Sequence, residues 1–447
     1  MVKKKRNTTS IILCSFLVLI AIGTVLLSLP ISSVNKQSVP FVDALFTATT
    51  SVCVTGLVTV TTCSTWSVFG QIVILFLIQI GGLGAIILLA NIALLSRKKL
   101  SIGNKLLLQD ALNLDSMSEI STLIKKIVLG TFLVEGVGAL LYMTVFIPEY
   151  GAAGIWYSVF NSISAFCNAG IDIIKENSLC DYATNPIINF TTMSLIILGG
   201  LGFLVWFDLL DNIKSRKPKK IQHLSFHTKL VLIMTGVLIF GGASLFFILE
   251  FNNPATIGNM SVWGKIQTSL FQSVTCRTAG FITIPQENLT NSSSLVSMLL
   301  MFVGGSPIGT AGGIKTVTIL VLILSAFTTI QNKNEIAILN RRIESAYVRK
   351  ALAVCFFSFF ITAISTFFLT VVSDKPFLDL LYEAVSATAT VGISKNVTAT
   401  LNTMGKIIVI ITMYLGRVGP ITMATLFYSQ KEKVNTITNP AGKIVVG

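Results

Sequence analysis

Four short polar strips, each ending in glycine, recur at near-equal intervals along the chain. The glycines are separated by 114, 110 and 112 residues. The residues before them are mostly small or β-branched, and none is Asp or Glu. Backbone carbonyls are therefore the groups available for ligand binding, and a ring of carbonyls can replace the hydration shell of a cation. The strips are Cys53-Val54-Thr55-Gly56, Cys167-Asn168-Ala169-Gly170, Arg277-Thr278-Ala279-Gly280 and Ala389-Thr390-Val391-Gly392.

The glycine that ends each strip has a backbone role. A strand that presents successive carbonyls to one axis needs dihedral angles that other residues resist, and glycine adopts them at little cost. The strips therefore predict a selectivity filter for a large, weakly hydrated monovalent cation, for which potassium is the natural candidate. We expect potassium to bind at these carbonyls only, and we predict no catalytic residue and no cofactor in this chain.

The strips belong to a longer unit that occurs four times in the same order. An aromatic residue precedes each final glycine by nine or ten positions, and a second glycine cluster follows 24 to 29 residues later within an apolar stretch. Such self-similarity at a fixed period indicates a repeat architecture. The aromatic residues are Phe46, Phe160, Phe271 and Tyr382, and the second clusters lie at 81–84, 199–202, 304–305 and 416–419.

The composition is that of a polytopic membrane protein. Of the 447 residues, 53% are hydrophobic and 12% charged, and the mean hydropathy is +0.80. Apolar stretches of about 20 residues or more are long enough to cross a bilayer as helices. We therefore predict an all-α fold with eight transmembrane helices. The stretches are 11–30, 70–95, 127–147, 187–210, 230–250, 295–330, 351–372 and 404–429.

The net charge of +14 follows from membrane topology rather than from nucleic-acid binding. If the eight spans alternate, 24 of the 33 Lys and Arg residues fall on the side that holds the N-terminus. This is the positive-inside asymmetry. It predicts a multi-pass protein of the cell membrane with both termini in the cytoplasm. Basic residues on that side are also suited to contact anionic membrane lipids.

Each unit is predicted to be a span, a pore loop and a second span. The segments 41–52, 154–166, 266–276 and 377–388 suit half-helices that enter the membrane from outside and direct their negative ends at the filter. All four units begin on the inside, so they are parallel around a central ion pathway. We place them at 1–105, 106–215, 216–332 and 333–447.

The third unit differs from the others. Its second apolar stretch, 295–330, is longer than a span and is interrupted by the segment 304–315, which holds five glycines and a proline. These residues disfavour a continuous helix, which predicts two half-helices joined by a gating loop. A packing kink is the alternative. The gating-loop residues are Gly304, Gly305, Ser306, Pro307, Gly309, Thr310, Ala311, Gly312, Gly313 and Lys315.

Two arginines lie at predicted membrane depth. Arg417 lies in the last span, where an ionisable group faces a cavity or a partner. Two roles remain open: Arg417 braces the filter through Glu383 of the fourth pore helix, or it places a positive charge in the inner vestibule. We expect the Arg277 side chain to lie behind the filter, because a guanidinium in the lumen would block cations.

These residues resemble the Trk/Ktr/HKT superfamily of potassium transporters. The matching segments are the pore loops FVDALFTATTSVCVTGL, FNSISAFCNAGI, FQSVTCRTAGF and EAVSATATVGI, and the motifs QIGGLG, GGIKT and GRVGP. The resemblance covers nearly the whole chain, and its length is similar to that of the Ktr membrane subunit. It implies a bacterial homodimer regulated by a cytosolic ring of RCK-type subunits that bind ATP or ADP, with sodium as an activator in some members. The basic segments 211–229 and 331–350 are the expected docking sites of that ring.

The resemblance leaves two alternative functions open. One is a sodium-permeable cation transporter of the same superfamily, which a Ser in place of a filter glycine would favour. The other is a secondary solute transporter, which would need intramembrane carboxylates; Glu135 is the single one deep in a predicted span outside the pore loops. Cys53 and Cys167 stand where relatives often have Thr or Asn, which predicts sensitivity of the pathway to thiol reagents.

Overall fold

The computed structural model describes residues 8–84, 120–214, 224–333 and 335–419, most of which are helical. The first two units contain α1 (Thr8–Leu27), α2 (Phe41–Cys53), α3 (Thr62–Thr65), α4 (Val68–Leu83), α5 (Ile120–Tyr150), α6 (Ala153–Phe166), α7 (Pro186–Leu201) and α8 (Phe203–Lys214). The last two contain α9 (Phe226–Glu250), α10 (Val262–Thr275), α11 (Asn291–Phe302), α12 (Thr316–Ile330), β1 (Ile336–Ile338), β2 (Arg341–Ile343), α13 (Ser345–Val372), α14 (Phe377–Ala389) and α15 (Thr403–Val418).

Four helices of 13 or 14 residues, α2, α6, α10 and α14, lead into the four strips. They agree closely with the predicted half-helices except that α10 begins four residues early. The cause is a cap: the Ser261 side chain accepts a hydrogen bond from Gly264 N and so fixes the first turn. The aromatic residue that marks each unit is fully buried in its short helix, at Phe46, Phe160, Phe271 and Tyr382.

The long helices give the protein its membrane character. Among the described residues, α5, α9 and α13 are each long and apolar enough to cross a bilayer, and α7 with α8 forms one bent apolar pair. Large apolar side chains on these helices face outward, such as Phe356 and Phe367 of α13, as expected of surfaces in contact with lipid. The chain is therefore a helical membrane protein. The count of eight spans stays a prediction, because α4, α11, α12 and α15 have 16 residues or fewer.

The second glycine clusters allow close helix packing. A Cβ added to Gly81 would collide with the carbonyl oxygen of Val52, at the end of α2. The same collision would occur between Gly199 and Phe166 O, at the end of α6. Backbone of the second helix thus touches the short helix of its own unit directly. The short helix is positioned just before its strip by this contact, which any side chain would prevent.

The same clusters also end or bend their helices. Gly84 and Gly419 follow α4 and α15 with positive φ, and Gly202 separates α7 from α8 with φ of 88°. The α7–α8 pair is bent by 100° at that glycine. The prediction of one continuous span over 187–210 is therefore wrong. A Cβ on Gly202 would collide with the carbonyl oxygen of Pro307, so glycine is required there by a distant segment.

The long apolar stretch of the third unit is divided in two. Helix α11 ends at Phe302 and α12 begins at Thr316, and the intervening residues form neither helix nor strand. Gly304 N donates to Ile314 O across the base of this loop at 2.9 Å. The loop therefore closes on itself where it leaves and re-enters the helical layer.

A small hairpin departs from the all-α expectation. Strands β1 and β2 pair in antiparallel register, with Ile336 opposite Ile343. Ile343 is buried with Val321 of α12 and Ala351 of α13, which anchors the hairpin beside both helices. Arg342 pairs with Glu335 on the exposed face. Alternating apolar residues over so few positions are too short a pattern to predict a strand.

Several predicted features lie outside the described residues. They are the ends of the second apolar stretches of the first and fourth units, most of the basic segment within 211–229, and the two termini. The segments concerned are 1–7, 85–119, 215–223 and 420–447.

Candidate functional site

The four strips meet at their glycines. Each strip contacts its neighbours in the order one, two, three, four and back to one, so the strips form a closed ring. At these distances no Cβ fits without displacing backbone. A Cβ built on Gly56 would lie 2.5 Å from Ala169 O, and one on Gly170 would lie 2.5 Å from Gly280 Cα. A Cβ on Gly280 would lie 2.8 Å from Val391 O, and one on Gly392 would lie 2.7 Å from Gly56 Cα.

The second residue of each strip adopts a left-handed backbone conformation. These residues are Val54, Asn168, Thr278 and Thr390, with φ of 54°, 59°, 66° and 52°. Three of them are β-branched, for which this conformation is rare and costs roughly 1–3 kcal/mol. Neighbouring structure must hold them there. At the three β-branched positions the sequence carried no signal of this conformation, because its usual markers are Gly, Asn and Asp, and of the four residues only Asn168 is one of these.

A backbone hydrogen bond turns each strip back towards its short helix. The amide of the third strip residue donates to a carbonyl four or five residues earlier, near the end of the helix. This is the hydrogen bonding of a helix that ends on a left-handed residue. The bonds run from Thr55 N to Thr50 O (2.8 Å), Ala169 N to Ser164 O (2.8 Å), Ala279 N to Thr275 O (3.0 Å) and Val391 N to Ser386 O (2.9 Å).

A hydroxyl at one place in every short helix fixes the strip from behind. In the first and fourth units Thr50 Oγ1 and Ser386 Oγ accept from the amides of the strip glycines, at 3.0 and 3.1 Å. In the other two units Ser164 Oγ and Thr275 Oγ1 donate to carbonyls just beyond the glycine, each at 2.6 Å. The sequence does show these residues, as a Ser or Thr five or six positions before each glycine, but their role was missed.

Glu383 braces its own unit and does not contact Arg417. Its carboxylate accepts hydrogen bonds from Ser394 Oγ at 2.7 Å and from Thr398 Oγ1. In the third unit Gln272 and Gln286 form the corresponding link, with Gln272 Nε2 donating to Gln286 Oε1 at 2.8 Å. The suggested Arg417–Glu383 pair is therefore wrong. The carboxylate is already satisfied by hydroxyls of the segment that follows its own strip.

Arg417 instead connects the loop 304–315 to α4. Its Nη1 donates to Thr310 O at 2.7 Å, and its Nη2 donates to Gly81 O at 2.6 Å. Lys315 donates from Nζ to Ala311 O at 2.6 Å. Consecutive loop carbonyls thus accept hydrogen bonds from two cationic side chains, which is stronger bonding than neutral donors provide.

The loop lies directly against the third and fourth strips. Gly312 N donates to Thr278 Oγ1 at 3.2 Å, and a Cβ on Gly312 would lie 2.8 Å from Ala389 O. Thr310 Oγ1 donates to Phe166 O at 3.0 Å, at the end of α6. The loop is therefore held by the same backbone that carries the strips, so its displacement and the strip positions are coupled.

Arg277 is buried at 5% exposure, and its Nε has no hydrogen-bond partner. No carboxylate lies within ion-pair distance of it among the described residues. Cys53 and Cys167 are also fully buried. The Cys167 thiol lies 3.6 Å from Gln79 Oε1 on α4, behind its strip. Reagents that modify it would therefore displace the strip rather than fill its centre.

Asp172 brings a negative charge close to the second strip, two residues after Gly170. Burial raises the pKa of its carboxyl to about 6, although hydrogen bonds from Ser178 and from the Ile174 and Lys175 amides oppose that rise. The pKa of the Cys63 thiol is raised first by burial and next by the charge of Asp172. Asp172 is thus a titratable group at one end of the strips.

The fold and this site define a helical membrane protein whose four short helices lead into one closed ring of glycine-ended strips. The chain belongs to the TrkH family of cation transport proteins, which it matches over residues 3–436.

Individual relatives cover almost the whole chain. It is 38% identical over 435 residues to the Ktr system potassium uptake protein B of Bacillus subtilis, covering 97% of this chain and 95% of that protein. It is 36% identical over 427 residues to the potassium/sodium uptake protein NtpJ of Enterococcus hirae, covering 94% of this chain and 93% of that protein. The structure is similar to that of the potassium transporter TrkH from Vibrio parahaemolyticus, with a TM-score of 0.76 and 15% sequence identity. The match covers 95% of this chain and 85% of that one.

Proposed function

We propose that this chain is the potassium-translocating membrane subunit of a Ktr-type uptake system, and that potassium passes between the four strips. The ring of glycine contacts is the observation that carries this proposal, because it brings four carbonyl-bearing strands together without any acidic side chain. The names of the Bacillus subtilis and Vibrio alginolyticus relatives, both Ktr system potassium uptake proteins, support it. The chain acts by transport and not as an enzyme.

The arrangement that fits this function is four parallel units with eight transmembrane helices around one central pathway. Support comes from the four short helices of similar length and from the hydroxyl that recurs at one place in each. The charge distribution of the sequence supports a bacterial cell-membrane protein with both termini in the cytoplasm.

We infer that the loop 304–315 is the gate of this pathway. Its carbonyls accept hydrogen bonds from Arg417 and Lys315, and its backbone contacts the third and fourth strips, which is the position that a gate next to the filter would need. Opening requires that these bonds be exchanged for others. A cytosolic partner that pulls on α11 or α12 could drive this change.

We propose a homodimer of this chain on a cytosolic ring of RCK-type subunits that bind ATP or ADP, with sodium as an activator. The relatives' membership of Ktr systems supports a partner subunit. The hairpin β1–β2, whose exposed residues include Arg341, offers such a partner a basic contact within 331–350.

Sodium uptake is the second candidate function. The Enterococcus hirae relative, which is named for both potassium and sodium, favours it. The four glycines favour potassium, because an added Cβ at any of them would displace a neighbouring carbonyl or Cα.

Replacement of a strip glycine tests the pathway. Gly56→Ser and Gly280→Ser should each lower the ratio of potassium to sodium uptake by about tenfold or more, because the side chain deforms the carbonyl ring. The measurement is tracer uptake in a potassium-uptake-deficient bacterium. Gly236→Ser, where an added Cβ has no neighbour within 4 Å, is the matched control. If both strip variants keep the wild-type ratio, the pathway assignment is wrong.

A further inference from the structure

Glu135 is a buried acidic residue that the pathway described above does not use. It lies in the middle of α5 at 4% exposure. Both carboxylate oxygens accept from Gln79 Nε2 of α4, at 3.1 and 3.2 Å. Among the described residues no Lys or Arg lies within ion-pair distance of it. A carboxyl group at membrane depth is costly, so its presence calls for a role.

Glu135 contacts both the second strip and the short helix before it. The Cys167 thiol, on the first residue of that strip, lies 3.9 Å from Glu135 Oε1 and 3.6 Å from Gln79 Oε1. Ser162 Oγ, on the short helix before the strip, donates to the Glu135 backbone carbonyl at 2.6 Å. One residue of α5 therefore holds both the short helix and the start of the strip.

The third unit has the contact to the short helix but not the contact of a carboxyl group, so it shows what each contributes. Ser273 occupies the same place in its short helix as Ser162 and donates to Ile239 O at 2.8 Å. The main-chain contact is therefore formed equally well when the α9 residue is isoleucine. The Glu135 carboxyl is thus not needed to hold a short helix, and its contact with Gln79 and Cys167 is an addition that the matching position of the third unit, Ile239, cannot make.

The residue after Cys167 explains why an additional contact matters there. Asn168 has a left-handed backbone, and neither its Nδ2 nor its Oδ1 has a hydrogen-bond partner. The Asn168 side chain thus contributes no hydrogen bond that fixes this strip. Ser164 holds the far end of this strip, and the Cys167 thiol is the side chain that links its first residue to α4 and α5.

We infer that Glu135 is a positioning residue for the second strip: with Gln79 it holds Cys167, and thereby helps to set the choice among cations. The inference rests on the proposed potassium pathway. Because the contact is a hydrogen-bonded link between α4, α5 and the strip, an amide should replace the carboxyl and an alkyl group should not.

The test compares Glu135→Leu with Glu135→Gln in the tracer assay. The Leu variant should lower the potassium-to-sodium uptake ratio by about tenfold, whereas the Gln variant should stay within about twofold of wild type. Cys167 should also react several-fold faster with a small permeant thiol reagent in the Leu variant. Ile239→Leu, at the matching place in the third unit, should change neither quantity.

Cys167→Ala tests the same link if Glu135→Leu fails to reach the membrane. It should lower the ratio as Glu135→Leu does, and the double variant should be no less selective than either single one, because both remove one link. A wild-type ratio in Glu135→Leu or in Cys167→Ala would overturn the inference, as would a Gln variant as unselective as the Leu variant.

Gly170→Ser in the same assay separates this inference from the proposed function. If Gly170→Ser lowers selectivity and the Glu135 and Cys167 variants do not, the positioning role alone is refuted. If Gly170→Ser also leaves the ratio unchanged, the proposed pathway itself fails.

Discussion

At the scale of single residues, Asp172 is a group beside the strips whose charge can change within the physiological pH range. Its pKa of about 6 means that the carboxyl is mostly neutral at pH 5 and mostly ionised above pH 7. A negative charge beside the end of a cation pathway raises the local cation concentration and the rate of entry. Loss of the charge should therefore slow uptake.

We predict that potassium uptake falls about two- to fivefold as the external pH is lowered from 7.5 to 5. Asp172→Asn should give the low-pH rate at both pH values, because the amide cannot ionise. The measurement is the initial uptake rate at subsaturating potassium. Glu176→Gln, which neutralises a more exposed acid four residues away, should keep the pH dependence. Equal pH dependence in Asp172→Asn and wild type would contradict the assignment.

Single residues also show which features of the site the sequence does not predict. Local residue preferences would place Val54 and Thr390 in extended backbone, yet both are left-handed. The partners of Arg417 are carbonyls of Thr310 and Gly81, and every residue offers a carbonyl. A carboxylate partner can be sought by residue type, whereas a backbone acceptor cannot, so the sequence could not identify the partners of Arg417.

At the scale of elements, the loop 304–315 combines a flexible composition with many specific contacts. A Cβ on Gly312 would collide with Thr390 Oγ1 and lie 2.8 Å from Ala389 O. The loop can therefore take its present position only with glycine at this point. A substitution here should disfavour that position while leaving Arg417 and Lys315 intact.

Gly312→Ala should raise the potassium uptake rate by about two- to fivefold and make it less dependent on a cytosolic partner, because the obstructing position of the loop is destabilised. Uptake at saturating potassium, normalised to protein in the membrane, measures this effect. Gly236→Ala adds the same methyl group to α9 at a site without close neighbours and should leave the rate unchanged. An unaltered rate in a well-expressed Gly312→Ala variant would argue against gating by the loop.

The bounds of a helix could be predicted where neighbouring residues in the sequence determine them. The short helices follow from apolar patterning and from the polar strip at their end, and the division of the stretch 295–330 follows from five glycines and Pro307. The bend at Gly202 was not predictable. It depends on close approach by Pro307 O, which lies more than a hundred residues further along the chain.

At the scale of the whole molecule, an ion pair joins the first and last units. Lys406 Nζ lies 2.6 Å from Asp43 Oδ1, and both side chains are largely buried. Asp43 is in the first turn of α2 and Lys406 is in the first turn of α15. The pair thus contributes to closing the ring of units between its two ends in sequence. The sequence alone could not predict this pair, because the two residues lie far apart along the chain.

Lys406→Met should destabilise the folded protein by about 3 kcal/mol, because it leaves a buried carboxylate without its partner. The double variant Asp43→Asn/Lys406→Met should recover most of that loss, since both charges are then absent. Thermal denaturation in detergent, followed by the loss of monodisperse protein, compares the three forms. If the double variant is as unstable as the single one, the pair does not provide the stability of this junction.

The ring of strips is made by one continuous chain, and its four quarters are chemically different. The first strip residue is Cys, Cys, Arg or Ala, and the second is Val, Asn, Thr or Thr. In a pore of four identical subunits, a codon change alters four places at once and symmetry is preserved. Here a codon change alters the strip of one unit and leaves the other three unchanged. The four strips can therefore differ in sequence and in function. Mutational scans should therefore give quadrant-specific phenotypes at equivalent positions, and averaging them across the repeats would erase that information.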